Sequence, residues 1–207
     1  MARTLFTARA GGDLKLLPNR ELLHRQISLN ALHFMRQTHS DIVKVVDETG
    51  SDFECDALVT RSTGVGLAAL AADCMPITFV AKDVVGVAHV GRVGLVNRIS
   101  VNTVTTMRSL GAEAITATIG PSICGRCYEV SPEMYHDVVA QVPASATSAL
   151  AHSLDLGAGV TAQLKECGVT VVNLDICTLE NPLYYSYRRG GEVARQAGII
   201  SLNRSEK

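Results

Sequence analysis

Residues 64–90 read GVGLAALAADCMPITFVAKDVVGVAHV: three apolar, strand-like runs broken by one polar interruption, Asp73-Cys74, and by one turn-forming pair, Lys82-Asp83. The second and third runs have the pattern of a hairpin turning near Lys82 and Asp83. With the turn centred between residues 81 and 83, opposed positions sum to about 163 to 165, which sets Cys74 opposite His89 or Gly91. Either register keeps Cys74 and His89 on one face, with Cβ atoms within about 4.5 to 8 Å. Pro76 cannot donate to a ladder and marks an edge or a bulge. An ionised carboxylate in such an apolar run costs several kcal/mol without a partner, so Asp73 is either well hydrogen-bonded or chemically active.

On the N-terminal side, LFTARAGG reads as an edge strand entering a glycine turn. NRELLHRQISLNALHF (19–34) has helical spacing through Leu22, Leu23, Ile27 and Leu32, with Asn19 as its cap. QTHSDIVKVVDE then changes to period two, and Ile42, Val43, Val45 and Val46 lie in a strand entered directly after His39. CDALVT is a further short strand. On the C-terminal side, VGRVGLVNRISVNTVTTMRSLG is helical in its later part, with Leu95, Ile99, Thr103, Met107 and Leu110 on one face and Gly111 as terminator. EAITATIG is a strand, SPEMYHDVVAQV a helix opened by Ser131 and Pro132, and Pro143 with ASATSA a surface loop. SLDLGAGVTAQLKECG is a second long helix, VTVVNLDI a buried strand, and CTLENPLYYSYRRGGEVARQAGIISL an alternation of loop and short strand.

No repeat or low-complexity linker divides the chain, and 207 residues suffice for one domain, 1–207, that buries roughly 70% of its unfolded surface. Hydrophobic residues at 47% and charged residues at 19% leave little room for disorder. A net charge of -1 with scattered Lys and Arg, and no Trp, argues against nucleic acid as a partner. The longest apolar run stops at Asp73, short of the ~18 residues a membrane span needs, and MARTLFTARAGG lacks an apolar signal core. The expectation is a soluble, cytoplasmic protein without membrane partners, whose six cysteines are reduced thiols.

A thiolate with imidazoles suits zinc, and a catalytic zinc keeps three protein ligands and one open position. Cys74 and His89 supply two, and His39, at a polar corner between helix and strand, supplies the third. The same pair also fits a metal-free dyad, Cys74 as nucleophile and His89 as its base. Asp73 beside them has the place of a carboxylate that orients a ligand or takes a proton from bound water. Gln37, on the His39 face if the segment is extended, is placed to hydrogen-bond a base or sugar. Arg188, Arg189 and Arg195 flank a glycine pair in a loop able to fold over a ligand, and paired guanidiniums bind phosphate bidentately. CGRC (124–127) has redox and zinc spacing, but it follows GPSI and precedes YEV, a loop rather than a strand-to-helix turn, and is read as loop packing. His24, His33, His136 and His152 have no partner spacing and are read as structural.

The segments QTHS, DALVT, AADCMPI, AHVG, IGPSICGRCYEV, LDL and CTLENPLYYSYRRGGEVARQAG resemble, in order and spacing, those of the YfiH/YlmD-like or laccase-domain proteins, over residues 5–202. The resemblance implies an α+β fold of mixed α/β layers, with mixed sheets flanked by helices, related to the deamidating toxins. It implies a metal, zinc or copper by mismetallation, on His39, Cys74 and His89. It further implies phosphorolysis of adenosine, inosine and methylthioadenosine with adenosine deamination at the same site, so that a purine nucleoside and phosphate are the small-molecule partners of a monomer or homodimer. Six His without an HxH pair do not supply the ligands of several coppers, so multicopper oxidation fits poorly. Related proteins of the fold include cysteine hydrolases, and some relatives are linked with peptidoglycan-precursor editing, an amide cleavage. Where the family pattern reads HAGWRG this chain reads HVGRVG, with Arg92 at the Trp position and Val93 at the Arg position. In an extended segment the shift turns the cation to the opposite face; in a turn Arg92 still reaches an anion. A homologue that only binds its ligand is the third reading.

Overall fold

The computed structural model describes residues 1–50, 53–148 and 151–203, so Ala149 of the ASATSA loop lies outside the described residues. One sheet has five strands in the order β1 (Ala2–Phe6), β11 (Gln196–Leu202), β6 (Val65–Ala71), β2 (Ala31–Arg36) and β4 (Phe53–Glu54). The other has six, in the order β10 (Thr170–Asn173), β9 (Thr116–Ile119), β7 (Met75–Val80), β8 (Val85–Val90), β5 (Ala57–Thr60) and β3 (Val43–Val45). Both sheets mix parallel and antiparallel pairs: β2 runs parallel to β6, and β11 antiparallel to it.

The layers follow from which residues alternate to which face. Leu58, Val85 and Val87 of the six-stranded sheet pack against Val65, Leu67 and Ile200 of the five-stranded one. The outer face of the six-stranded sheet, including Ile77, Phe79, Ala88 and Val90, lies under Leu95 of α2 (Arg92–Val96), Ile99 and Met107 of α3 (Ile99–Ser109), Val138 of α4 (Pro132–Gln141) and Val160 and Leu164 of α5 (Leu156–Glu166). Leu23 of α1 (Leu17–Ile27) covers Ala68 and Ile199 on the far side of the other sheet. The stack is helix, sheet, sheet, helices: the mixed-sheet α+β class expected from the resemblance.

The stretch 64–90 runs through both sheets. β6 lies in one and β7 in the other, so the chain changes sheet at Ala72–Cys74, and Asp73 makes the corner with φ 84°. Asp tolerates this left-handed region better than most residues. The β7–β8 register, Met75↔Val90 to Val80↔Val85, sets Cys74 across from Gly91 and Pro76 directly opposite His89. The His89 N–H points away from β7 to Asp56 O, 2.8 Å. Pro76 therefore turns its missing donor towards β9, whose pairing with β7 begins only at Ile77↔Ile119. Pro76 does not mark an edge strand; it sits in an interior strand, at the one position where neither neighbour asks for its N–H.

Several expectations are corrected. The helix of 19–34 spans only Leu17–Ile27, opened at Leu16 with Pro18 in its first turn and closed by Ser28 at φ 55°; Asn19 lies inside it and donates from its side chain to Asp13 O. ALHFMR is strand β2, because its apolar residues satisfy both periods and pairing with β6 decides between them. The strand after His39 begins only at Val43. Leu95 belongs to a separate short helix, broken from α3 where Arg98 takes φ 60°. VTVVNLDI is buried only at Val169: among the described residues β10 pairs only with β9, at the edge of the sheet, and Thr170, Val172 and Asn173 are exposed. No helix among the described residues is long and apolar enough to cross a membrane.

Candidate active site

Where β6 ends, β7 begins and β8 ends, three side chains meet. His39 comes from the loop after β2, with φ 59°, Cys74 from the corner between the sheets, and His89 from the penultimate residue of β8. Their donor atoms all lie within 4.8 Å of one another. Cys74 Sγ is 3.9 Å from His39 Nε2, and the two imidazole rings meet edge to face at 4.7 Å between centroids. His39 is exposed and His89 buried, so the cluster has an inner wall and an open side.

Gly91 is what lets these groups approach. A Cβ there would lie 2.9 Å from Cys74 Sγ and 3.2 Å from His39 Cδ2. Gly91→Ala is therefore expected to drive the thiol and imidazole apart and cut metal affinity at least tenfold with the fold retained. Metal titration alongside circular dichroism checks this, and unchanged affinity would refute the packing argument.

Asp56, fully buried at the entry to β5, holds the cluster in place. Its Oδ1 is 2.8 Å from His89 Nδ1, and its Oδ2 accepts from the Thr38 N–H (3.1 Å), the Ser40 N–H (2.6 Å) and the Ser40 hydroxyl (2.9 Å). A carboxylate at Nδ1 makes that nitrogen the donor and leaves Nε2 to act as ligand. One residue thus orients His89 and pins the turn that carries His39. Burial pushes the Asp56 carboxyl up, but His89 and Ser40 outweigh it and hold it well below the usual range. Burial likewise opposes ionisation of Cys74 and His89, yet the imidazoles bring the Cys74 thiol down to about 6, and Asp56 and Cys74 raise His89 to about 9.

These shifts set a pH dependence. The His89 contribution to stability is complete below its ordinary 6.5 and is lost as pH rises through about 9. The Cys74 contribution is complete above its ordinary 9.0 and is lost as pH falls towards about 6. The slopes oppose, so metal-free protein is expected to have a nearly flat melting temperature between pH 6.5 and 9. Thermal melts of chelator-treated protein test this; a steep fall over that interval would contradict it.

The cluster opens into a cleft of about 610 Å³, within the size range of small-molecule sites. Met35, Leu70, Ala71 and Ala72 form one wall, Tyr128 and Tyr187 carry aromatic rings, and Lys15, Arg188 and Arg195 bring positive charge. Asp73 lines the cleft, but its Oδ1 accepts from the Thr178 hydroxyl (2.7 Å) and its Oδ2 from the Arg188 N–H (2.8 Å), so it shapes the Arg188 loop while Asp56 holds the imidazole. Gln37 also lines it, with both ends of its amide bonded to the Leu70 backbone. Arg188 stacks over Tyr128, 4.7 Å from the ring centroid, and donates one N–H to Glu129 O. Arg195 is bonded to the carbonyls of Glu192 and Ala194 at the rim. Arg189 does not line the cleft: its guanidinium donates to the carbonyls of Thr178, Leu179, Asn181 and Tyr184 and holds the loop together. Arg92 opens helix α2 rather than extending β8, and it sits beside Tyr128, whose hydroxyl burial pushes up while Arg188 and Arg92 oppose the rise.

Asp56, Tyr128, Tyr187 and Lys15 escape the sequence reading. Asp56 and Tyr128 stand within the quoted DALVT and CYEV motifs, and a charged residue at the mouth of a buried strand was the available signal for the first. The other four histidines are structural. His24 and His33 lie 2.9 Å and 2.7 Å from the carbonyls of Leu29 and Asp47, and His136 and His152 pack edge to face on Tyr135.

Residues 10–203 match a family model described as multi-copper polyphenol oxidoreductase laccase. A purine nucleoside phosphorylase of Streptomyces griseus is 42% identical over 198 residues, covering 89% of this chain and 80% of the relative. An adenosine deaminase from an unknown prokaryotic organism is 35% identical over 208 residues, covering 86% of this chain and 78% of the relative. Among solved structures, protein NMB0706 of Neisseria meningitidis superposes with a TM-score of 0.86 at 28% identity, covering 98% of this chain and 94% of that one. YfiH of Bacillus licheniformis, at 24% identity, shares the fold with a TM-score of 0.86, covering 98% and 93%.

Proposed function

The chain belongs to the family described as multi-copper polyphenol oxidoreductase laccase, and from that premise we propose that it is a zinc-dependent purine nucleoside enzyme. It cleaves adenosine, inosine or methylthioadenosine with phosphate and deaminates adenosine at the same site. The observation that carries this reading is the junction of a two-imidazole, one-thiolate cluster with a cleft lined by two tyrosine rings and by the cationic side chains of Lys15, Arg188 and Arg195. Relatives named purine nucleoside phosphorylase and adenosine deaminase support it.

The donor set suits zinc with an open position, and the carboxylate behind His89 fixes the tautomer such a ligand needs. When bound by His39, Cys74 and His89, the metal supplies Lewis-acid polarisation on the cleft side. The remaining work falls to the chain itself. Tyr187, Tyr128 and the wall of Met35 and Leu70 hold the purine, with the Tyr187 ring available for offset stacking. Arg188, with Lys15 and Arg195, binds phosphate through charge-assisted hydrogen bonds, and Arg92 adds positive charge beside Tyr128. Asp73 positions Arg188 through its backbone N–H. Copper enters only as a substitute for zinc: with four of the six histidines bonded or packed elsewhere, the residues for several coppers are missing.

Purified protein incubated with adenosine is expected to release adenine only with phosphate present and inosine without it, and a chelator is expected to stop both. Cleavage of an amide substrate by chelated protein, with neither nucleoside product, would instead establish the Cys74–His89 dyad. Arg188→Ala is expected to raise the KM for phosphate roughly tenfold or more, the loss of about one hydrogen bond to a charged group, with metal content unchanged. Equal KM values would remove Arg188 from the phosphate site.

A further inference from the structure

We propose a second metal site, for a structural zinc-class ion, formed by Cys124, Cys127, Cys177 and Glu180. It lies outside the catalytic cluster and does not depend on the proposed function. Two segments supply it with the same spacing, CGRC at 124–127 and CTLE at 177–180. Each is closed as a tight turn: the Cys127 and Tyr128 N–H groups bond to Cys124 O at 3.0 and 3.1 Å, and the Asn181 N–H bonds to Cys177 O at 3.0 Å. A parallel bridge between Ser122 and Cys177 lays the turns side by side, so residues more than fifty positions apart present their donors to one point.

Three sulfurs and a carboxylate oxygen there all lie within 4.8 Å of one another. Cys127 Sγ is 3.5 Å from Glu180 Oε1. Sulfur and oxygen ligands on a zinc tetrahedron are separated by roughly 3.5 Å, and two sulfurs by slightly more, so a small contraction completes the shell. The surroundings match what such ligands require. The Cys124 N–H points at Cys177 Sγ at 3.5 Å, and Arg126 lies 3.3 Å from Glu180 Oε2, leaving Oε1 for the ion and supplying positive charge beside the thiolates. A disulfide would use two of the three thiols and leave out the third and the carboxylate; a four-ligand ion uses every group.

The site has a structural consequence. Tyr128 follows Cys127 directly, and Thr178 follows Cys177 and hydrogen-bonds Asp73, which holds the Arg188 backbone. An ion here ties together the two loops that carry the aromatic and cationic wall of the cleft.

The test is metal counting on chelator-stripped full-length protein reloaded with Zn²⁺ or Co²⁺. Wild type is expected to bind two ions per chain, Cys74→Ala one, Cys127→Ser one, and Cys74→Ala/Cys127→Ser none. Cobalt-loaded Cys74→Ala is expected to show thiolate-to-cobalt charge-transfer absorption, and loading is expected to protect Cys124, Cys127 and Cys177 from alkylation. Cys127 is half-buried, so its replacement spares the core, and circular dichroism verifies the fold. A folded Cys74→Ala protein that takes up no ion, or an ion retained in the double variant, would overturn the proposal.

Discussion

Cys74→Ala is expected to lose one metal ion per chain and to reduce phosphorolysis and deamination about a hundredfold or more. Apparent structural zinc affinities of about 10 to 16 kcal/mol, shared over four ligands, put roughly 3 kcal/mol on each, so losing one lowers affinity about a hundredfold or more. Cys74 is also the middle member of the cluster, set in the corner between the sheets while His39 sits on an exposed loop. Without the thiolate the two imidazoles have nothing between them to hold an ion. Metal analysis and product formation must fall together. Wild-type protein that keeps full activity after chelation, while Cys74→Ala has none, would sink the metal reading and leave the dyad.

Asp56→Asn is expected to have the second largest effect, although Asp56 does not itself line the cleft. An amide of the same size keeps an oxygen for the Thr38 and Ser40 N–H groups, which turns its NH2 towards His89 Nδ1. The imidazole must then accept at Nδ1 and carry its proton on Nε2, the atom that faces the cluster. Loss of such a supporting carboxylate typically costs 10- to 100-fold in metal affinity or activity. Breaking a fully buried charged pair also destabilises by about 3 to 5 kcal/mol. The expected result is a melting temperature lowered by several degrees, and at least a tenfold rise in the metal dissociation constant. Asp56→Ala should be worse on both counts, because it leaves the His39 turn unpinned. If Asp56→Asn binds metal like wild type, the carboxylate does not set the tautomer.

Elements with close-range partners were legible in sequence. The hairpin of residues 75–90 pairs across a short turn, and its arithmetic holds: opposed residues sum to 165, as in Met75↔Val90. Ser131 caps α4 through the Met134 N–H, as its position before Pro132 indicates. Residues 31–34, the end of the helix expected over 19–34, fit a helix as well as a strand, and only the neighbouring β6 removes the ambiguity. The site divides the same way. Arg188 and Arg189 are chemically identical neighbours, yet one reaches the cleft and the other is taken up by loop carbonyls.

The sequence by itself determined which residue types could form a soft metal cluster, and that Cys74 and His89 share a face, because strand alternation and a short turn place them without reference to the rest of the chain. Only the tertiary structure decided that Asp56 rather than Asp73 stands behind His89, that Gly91 leaves room for the thiol, and that CGRC meets CTLE. Those relations join segments 17 to 53 residues apart, or depend on the gap left by a missing Cβ. Local periodicity carries no information about either; they exist once two sheets have packed and the chain has turned the corner at Asp73.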